Sequence, residues 1–180
     1  MIPLYILAGG RSSRFGSDKA RAEIGGQPLI TRVAHGLAPV ASSTTVVAEV
    51  KDKYLDLGLR TIADAEPGLG PIGGLVTALE DVAGDQLLLV ACDMAHVDAD
   101  WVARLTAPDG PAVAFRDHTG WQPLFAVYRQ SVAGEASDLI AAGEQSMQVL
   151  LNRVGKAVEL PSNWAGSINT PQELDSIGGH

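Results

Sequence analysis

One cysteine, Cys92, stands in a chain of 180 residues. An intrachain disulfide is therefore impossible, and so is a thiolate metal cluster. No apolar run reaches the roughly 18 residues that a membrane span requires. The opening Met1-Ile2-Pro3-Leu4-Tyr5-Ile6-Leu7-Ala8 has no basic flank, and Gly9-Gly10-Arg11 cuts its apolar run short. It does not read as a signal peptide, and a cytoplasmic location is the expectation. Basic residues are scarce: 13 Lys and Arg against 21 Asp and Glu leave a net charge of −8. Nucleic acid and anionic membranes demand a basic face, so neither is expected as a partner. Internal repeats, low-complexity tracts and linkers are absent. The Gly/Pro-rich pieces at Gly25-Gly26, Pro67 to Gly74 and Pro108 to Pro111 are short enough to be turns.

What is present is an apolar, ordinary composition. Hydrophobic residues make up 46% and charged residues 19%, which excludes a disordered chain. At this length roughly 70% of the unfolded surface is buried on folding. A single domain over 1–180 is expected.

The periodicity alternates. Pro3 to Ala8 is a continuous apolar run, as expected of a strand buried on both faces. Leu29 to Val40 has helical spacing, Thr44 to Val50 and Leu59 to Ala63 read as strands, and Ile72 to Val82 reads as a helix after a Gly-Pro turn. Gln86 to Cys92 contains the clearest buried strand. Trp101 to Leu105 is expected to be helical, Ala112 to Phe115 and Pro123 to Tyr128 extended, and Ser131 to Ala142 and Met147 to Val154 helical. Val158 to Leu160 is a candidate last strand. Thr170-Pro171-Gln172-Glu173 carries a capping box for a short helix. Alternating strands and helices imply right-handed parallel crossovers and a three-layer α/β/α, Rossmann-like, mostly parallel sheet. The later strands could include an antiparallel edge. Ligands of such sheets bind beyond the carboxyl ends of the strands. The loops after Ala8 and Ala63 and the pair Cys92-Asp93 fall there.

The scarce positive charge is concentrated. Arg11, Arg14, Lys19 and Arg21 place four basic residues in eleven positions, offset there only by Asp18. The same segment holds Gly9-Gly10 and Ser12-Ser13. Adjacent glycines let a ligand approach the backbone, and successive N–H groups form an anion-binding concavity. Arg14 and Lys19 add positive charge suited to a polyphosphate. A third glycine for a dinucleotide fingerprint is missing, and Lys19 lacks both the glycine spacing and the Ser/Thr of a Walker A loop. A solvated basic turn is the plainer alternative.

Residues 7–20, Leu-Ala-Gly-Gly-x-Ser-Ser-Arg-Phe-Gly-x-Asp-Lys-Ala, resemble the signature of the molybdenum cofactor guanylyltransferases, within a wider group of nucleotidyltransferases. Asp64, Gly70-Pro71-Ile72-Gly73-Gly74, Cys92-Asp93, Pro123 to Tyr128 and Ile168-Asn169-Thr170-Pro171 follow in the family's order, so the resemblance covers nearly the whole chain. It implies a nucleotidyltransferase fold that seats the nucleotide on Leu7, Ala8, Gly9, Gly10, Lys19, Asp64 and Asp93. Arg14, Lys19 and Asp93 would be the catalytic residues. A carboxylate at Asp93, opposite a phosphate loop, suits Mg²⁺ shared with substrate phosphates. The family's metal-binding Asp falls on this position, although an Asp capping the next turn is the alternative. Asp64 could accept the N1–H and N2–H₂ of guanine, or simply form a turn. Gly70 to Gly74 could offer a helix N-terminus to an anion, or only open a helix.

The resemblance implies transfer of GMP from GTP to the terminal phosphate of molybdenum-molybdopterin, with molybdoenzyme apoproteins or cofactor-biosynthesis proteins as further partners. CTP in place of GTP, another phosphorylated acceptor, and a non-catalytic nucleotide sensor are the alternatives. An NAD-binding oxidoreductase is disfavoured by the missing fingerprint. The chain departs from the family at Ala91 (often Pro), Gln122 (often His), Ser167 (often Asn), and at Ala48 or a neighbour, where the family has an Asn. His35, His96, His118 and His180 have no partner at metal or triad spacing. Cys92 is expected to fill space at a strand end. Trp101, Trp121 and Trp164 are too scattered for a stacking platform, while Trp121 and Gln122 lie near the pterin by resemblance.

Overall fold

The computed structural model describes residues 1–9, 18–94, 96–164 and 166–168. Gly10, Arg11, Ser12, Ser13 and Arg14 of the basic loop lie outside the described residues, as do Asn169, the expected helix at Thr170 and His180.

In chain order the elements are β1 (Ile2–Leu7), β2 (Glu23–Ile24), β3 (Gln27–Pro28), α1 (Leu29–Leu37), β4 (Ala41–Ala48), β5 (Arg60–Ala63), α2 (Pro71–Asp81), β6 (Gln86–Ala91), α3 (Ala99–Thr106), β7 (Ala112–Asp117), β8 (Gly120–Arg129), α4 (Val132–Ala141), α5 (Met147–Val154) and β9 (Gly155–Glu159). Seven strands form one sheet in the order β5-β4-β1-β6-β8-β7-β9, and β2 and β3 form a small hairpin. β5, β4, β1 and β6 run parallel, β8 runs antiparallel to β6 and β7, and β9 is parallel to β7.

The apolar runs are continuous because the two central strands serve two cores. Leu4 and Ile6 of β1 and Leu88 and Val90 of β6 join α1 and α3 on one face. Tyr5, Leu87 and Leu89 join α2, α4 and α5 on the other. Helices thus cover both faces, as a mostly parallel sheet requires. No helix among the described residues is long and apolar enough to cross a membrane.

The antiparallel strand is internal rather than at an edge. β7 and β8 are joined by a turn in which the Asp117 carboxylate accepts from the Thr119 and Gly120 N–H groups at 2.8 and 3.2 Å. Gly120 sits at φ 134°, which suits glycine. A connection this short permits only antiparallel pairing. The outer strand then returns parallel, and it begins earlier than the apolar pattern shows. α5 passes into β9 with no loop: Gly155 caps the helix by donating its N–H to the Leu151 carbonyl and already pairs with Ala112, and only glycine fits there because a Cβ would lie 2.4 Å from that oxygen. β4 is likewise displaced, from Thr44–Val50 to Ala41–Ala48, because its ladder with β1 runs from Ile2↔Ala41 to Leu7↔Val47. α1 stops at Leu37: Ala38 is still helical at φ −51° and ψ −38°, but Pro39 has no N–H to carry the hydrogen-bond ladder further.

Two features of the fold carry measurable consequences. Arg60 donates to both carboxylate oxygens of Asp81 at 2.7 Å, and the Tyr5 hydroxyl donates to the same carboxylate at 2.7 Å. The Arg60 hydrogen bonds hold the Asp81 carboxyl below its ordinary pKa of 3.8. A depressed carboxyl contributes stability above its unfolded pKa, and that contribution is lost as pH falls through the folded one. Asp81→Asn should therefore lower the melting temperature at pH 6, and the difference should shrink below about pH 3.8. A difference unchanged at pH 2.5 contradicts this. Cys92 is buried at the end of β6. Burial, with the neighbouring Asp93 charge, pushes its thiol up to about 12. It fills space, and a thiol reagent at pH 8 should label it only at the rate of unfolding. Rapid labelling of the native chain would show otherwise.

Candidate active site

The parallel ladders bring four chain segments to one edge. The Ala8 N–H donates to the Val47 carbonyl at 2.9 Å, the Asp64 N–H to Ala48 at 2.7 Å, and the Cys92 N–H to Leu7 at 3.0 Å. Leu7–Gly9, Ala48, Asp64 and Cys92-Asp93 therefore share the carboxyl edge of the sheet. Gly9 is exposed, and no described residue beyond its chain neighbours lies within 4 Å of where its Cβ would be.

Lys19 re-enters on a single 3-10 turn, Lys19–Arg21, capped by Asp18. Its Nζ donates to Asp93 Oδ2, with side-chain exposures of 16% and 17%. The two residues predicted from distant motifs are thus an ion pair. Asp93 Oδ1 is buried and has no hydrogen-bond partner among the described residues. A buried carboxylate oxygen without a donor is costly, and a divalent cation would satisfy it. The described residues contain no cluster of three or more His, Cys, Asp or Glu side chains able to hold a metal. One carboxylate fits an ion whose other ligands are phosphate oxygens and water, the usual arrangement for Mg²⁺.

Asp64 is a turn former here. Its Oδ1 accepts from the Glu66 N–H at 3.0 Å and the Thr77 hydroxyl at 3.1 Å. It lies at the end of β5, two strands from β1. The glycines of α2 also serve the fold. A Cβ at Gly73 would fall 2.7 Å from the Glu66 carbonyl oxygen, and one at Gly74 would fall 2.9 Å from the Leu7 side chain. The close approach they permit is to the protein's own chain.

Arg21 pairs with acid. It reaches Asp56 through two guanidinium nitrogens at 2.7 and 2.8 Å and Asp18 at 3.8 Å. Asp18 also accepts from the Tyr54 hydroxyl at 3.1 Å and from Lys53 Nζ at 2.9 Å. Burial pulls the Lys53 ammonium down, but hydrogen bonds to Glu49 and Asp18 outweigh it and leave its pKa raised. Burial pushes the Tyr54 hydroxyl up. Sequence reasoning missed Lys53 and Tyr54, because Lys51-Asp52-Lys53-Tyr54 has the composition of a surface turn.

The far end of the chain also arrives here. The Ile168 N–H donates to the Asp93 carbonyl at 2.8 Å, and Ile168 is buried against Ile24 and Leu29. β8 presents Gln122, Pro123 and Leu124, all half-buried, on the same edge. Trp101 and Trp164 prove to be neighbours, with centroids 5.0 Å apart beside Phe115 and Phe125. Trp101 is only 3% exposed, so this is core packing rather than a platform. Trp121 donates its indole N–H to Asn152 at 2.8 Å. His35 meets Gln27 at 2.9 Å, and His35 and His96 line a cavity of about 350 Å³ with Arg32 and Met94.

Known proteins share both this sequence and this fold. The MobA-like NTP transferase domain matches residues 4–158. A probable molybdenum cofactor guanylyltransferase of Deinococcus radiodurans is 33% identical, over 99% of this chain and 96% of its own. Another, from Chloroflexus aggregans, is 32% identical over 98% and 93%. The crystal structure of molybdopterin-guanine dinucleotide biosynthesis protein A from Archaeoglobus fulgidus superposes with a TM-score of 0.80 at 25% identity, covering 98% and 97% of the two chains. With its parallel carboxyl edge, glycine-ended first strand and Lys19–Asp93 pair, the chain belongs to the MobA-like NTP transferase family.

Proposed function

We propose that residues 1–180 form one nucleotidyltransferase domain that transfers GMP from GTP to the terminal phosphate of molybdenum-molybdopterin. The observation that carries this reading is the Lys19–Asp93 pair, with the unpartnered Asp93 Oδ1, beside the Gly9 strand end. The full-length relatives named as guanylyltransferases supply the substrates.

The acceptor's phosphate oxygen forms a bond to the α-phosphorus of GTP, and the bond between the α-phosphorus and its bridging oxygen to the β-phosphate breaks. Pyrophosphate leaves with that electron pair. The attacking phosphate is already ionised, so no general base is needed, and the protein's task is positioning and charge neutralisation. The Gly9 edge admits the phosphates, and Lys19, with Arg14, offsets their charge. Asp93 would hold Mg²⁺ through Oδ1, and the ion would neutralise phosphate charge when bound. Asp64 keeps its turn through Oδ1, and its Oδ2 makes no hydrogen bond among the described residues. That oxygen is left to accept from the guanine edge.

Pyrophosphate release with each of the four NTPs, with and without molybdopterin, tests the reading. Release should require GTP, acceptor and a divalent ion. Use of CTP instead of GTP refutes the guanylyl assignment, and silence with all four refutes catalysis. Asp93→Ala should lower kcat/KM by about 10²–10³, the loss seen when one preorganised charge-stabilising group is removed. Asp64→Ala should raise KM for GTP by about tenfold, as for loss of a charge-assisted hydrogen bond, with little change in kcat. An unchanged KM removes Asp64 from the base site.

A further inference from the structure

Lys19 stands on a three-residue 3-10 turn, and so short a turn has poor hydrogen-bond geometry of its own. Both of its flanks are tied to the same foreign segment, the connection between β4 and β5. On the N-terminal side Asp18 caps the turn, accepting the Ala20 N–H at 3.1 Å. The same carboxylate takes the Tyr54 hydroxyl at 3.1 Å on each oxygen, across 36 residues of sequence. Lys53 adds its ammonium at 2.9 Å. On the C-terminal side Arg21 donates to the Lys53 carbonyl at 2.8 Å and grips Asp56.

The clamp is itself packed and paired. Tyr54 is fully buried, and its hydroxyl is the one polar group at the tip of a core ring. Lys53 Nζ is fixed by Glu49 at 2.7 Å and lies 5.1 Å from the centroid of the Tyr54 ring. The Arg21 guanidinium is 5.2 Å from the same centroid. Packing of the ring needs no hydroxyl, yet the hydroxyl is aimed at the cap of the lysine's turn.

We propose that Tyr54 and Lys53 are positioning residues which, acting through Asp18, aim the Lys19 ammonium at Asp93 and at the phosphates of the nucleotide. The proposal rests on the reading of Lys19 as a phosphate ligand. Its physical basis is preorganisation: a misplacement of about 1 Å in a charge-bearing group can cost on the order of a hundredfold. A purely structural Tyr54 would lower the melting temperature without touching what Lys19 does.

A double-mutant cycle separates the two roles. The readout is the affinity of the full chain for a fluorescent GTP analogue, with melting temperatures in parallel. Tyr54→Phe keeps the ring and removes the hydroxyl, and it should weaken binding by about three- to tenfold, the fold-change that matches the net worth of an ordinary hydrogen bond. Lys19→Met should weaken it more. In the Lys19→Met background Tyr54→Phe should add less than about twofold, because the side chain it positions is gone. Lys53→Met gives a second cycle with the Tyr54 ring and hydroxyl in place, should the first variant fold poorly. Native affinity for Tyr54→Phe and Lys53→Met, or an equal loss with and without Lys19, overturns the positioning role. Native affinity for Lys19→Met overturns the reading of Lys19, and this proposal with it.

Discussion

The parallel pairing of β1 with β6 is the constraint on which the rest depends. Leu4 to Leu7 run in register with Leu88 to Ala91, and one further bond ties the Cys92 N–H to the Leu7 carbonyl. Both strands are buried on both faces, so a slip of even one residue would exchange the two cores. That register decides which residues emerge together at the carboxyl edge. Gly9 leaves one strand where Asp93 leaves the other. An exposed glycine and a carboxylate are thereby brought to one edge by the strand ladder and the two cores that fix its register.

Electrostatics then completes the edge. An acidic chain repels a triphosphate unless positive charge is local to the site. Among the described residues of the cluster, Arg21 is committed to Asp56 and Asp18. Lys19 faces Asp93 in a setting where both side chains are mostly covered. Partial burial strengthens such a pair and also makes an unmet lone pair costly. Asp93 Oδ1, buried and without a hydrogen-bond partner among the described residues, is the atom on which the proposed cation site rests.

Much of this was legible in the sequence because strand burial leaves a continuous apolar signal. Leu87 to Ala91, ending in Cys92-Asp93, placed that carboxylate at the carboxyl edge, and the glycine-and-basic segment held its partner Lys19. Elements set by packing partners were less legible. β9 begins at Gly155 because its ladder with β7 starts at Ala112↔Gly155, which no periodicity reports. β8 runs antiparallel inside the sheet because of a turn read only as polar residues. Tyr54 and Lys53 left no signal at all, since their partner Asp18 is more than thirty residues distant. Gly73 and Gly74 suited either an anion site or a plain helix start, and a Cβ on either would meet Glu66 or Leu7.

The central claim is that nucleotide phosphates and a divalent ion meet at Asp93. Paramagnetic broadening of the ³¹P resonances of a bound, non-hydrolysable GTP analogue by Mn²⁺ tests it directly. The account predicts strong broadening in the native chain and its loss in Asp93→Ala while the analogue remains bound. Equal broadening in the two proteins would place the ion elsewhere and contradict the account.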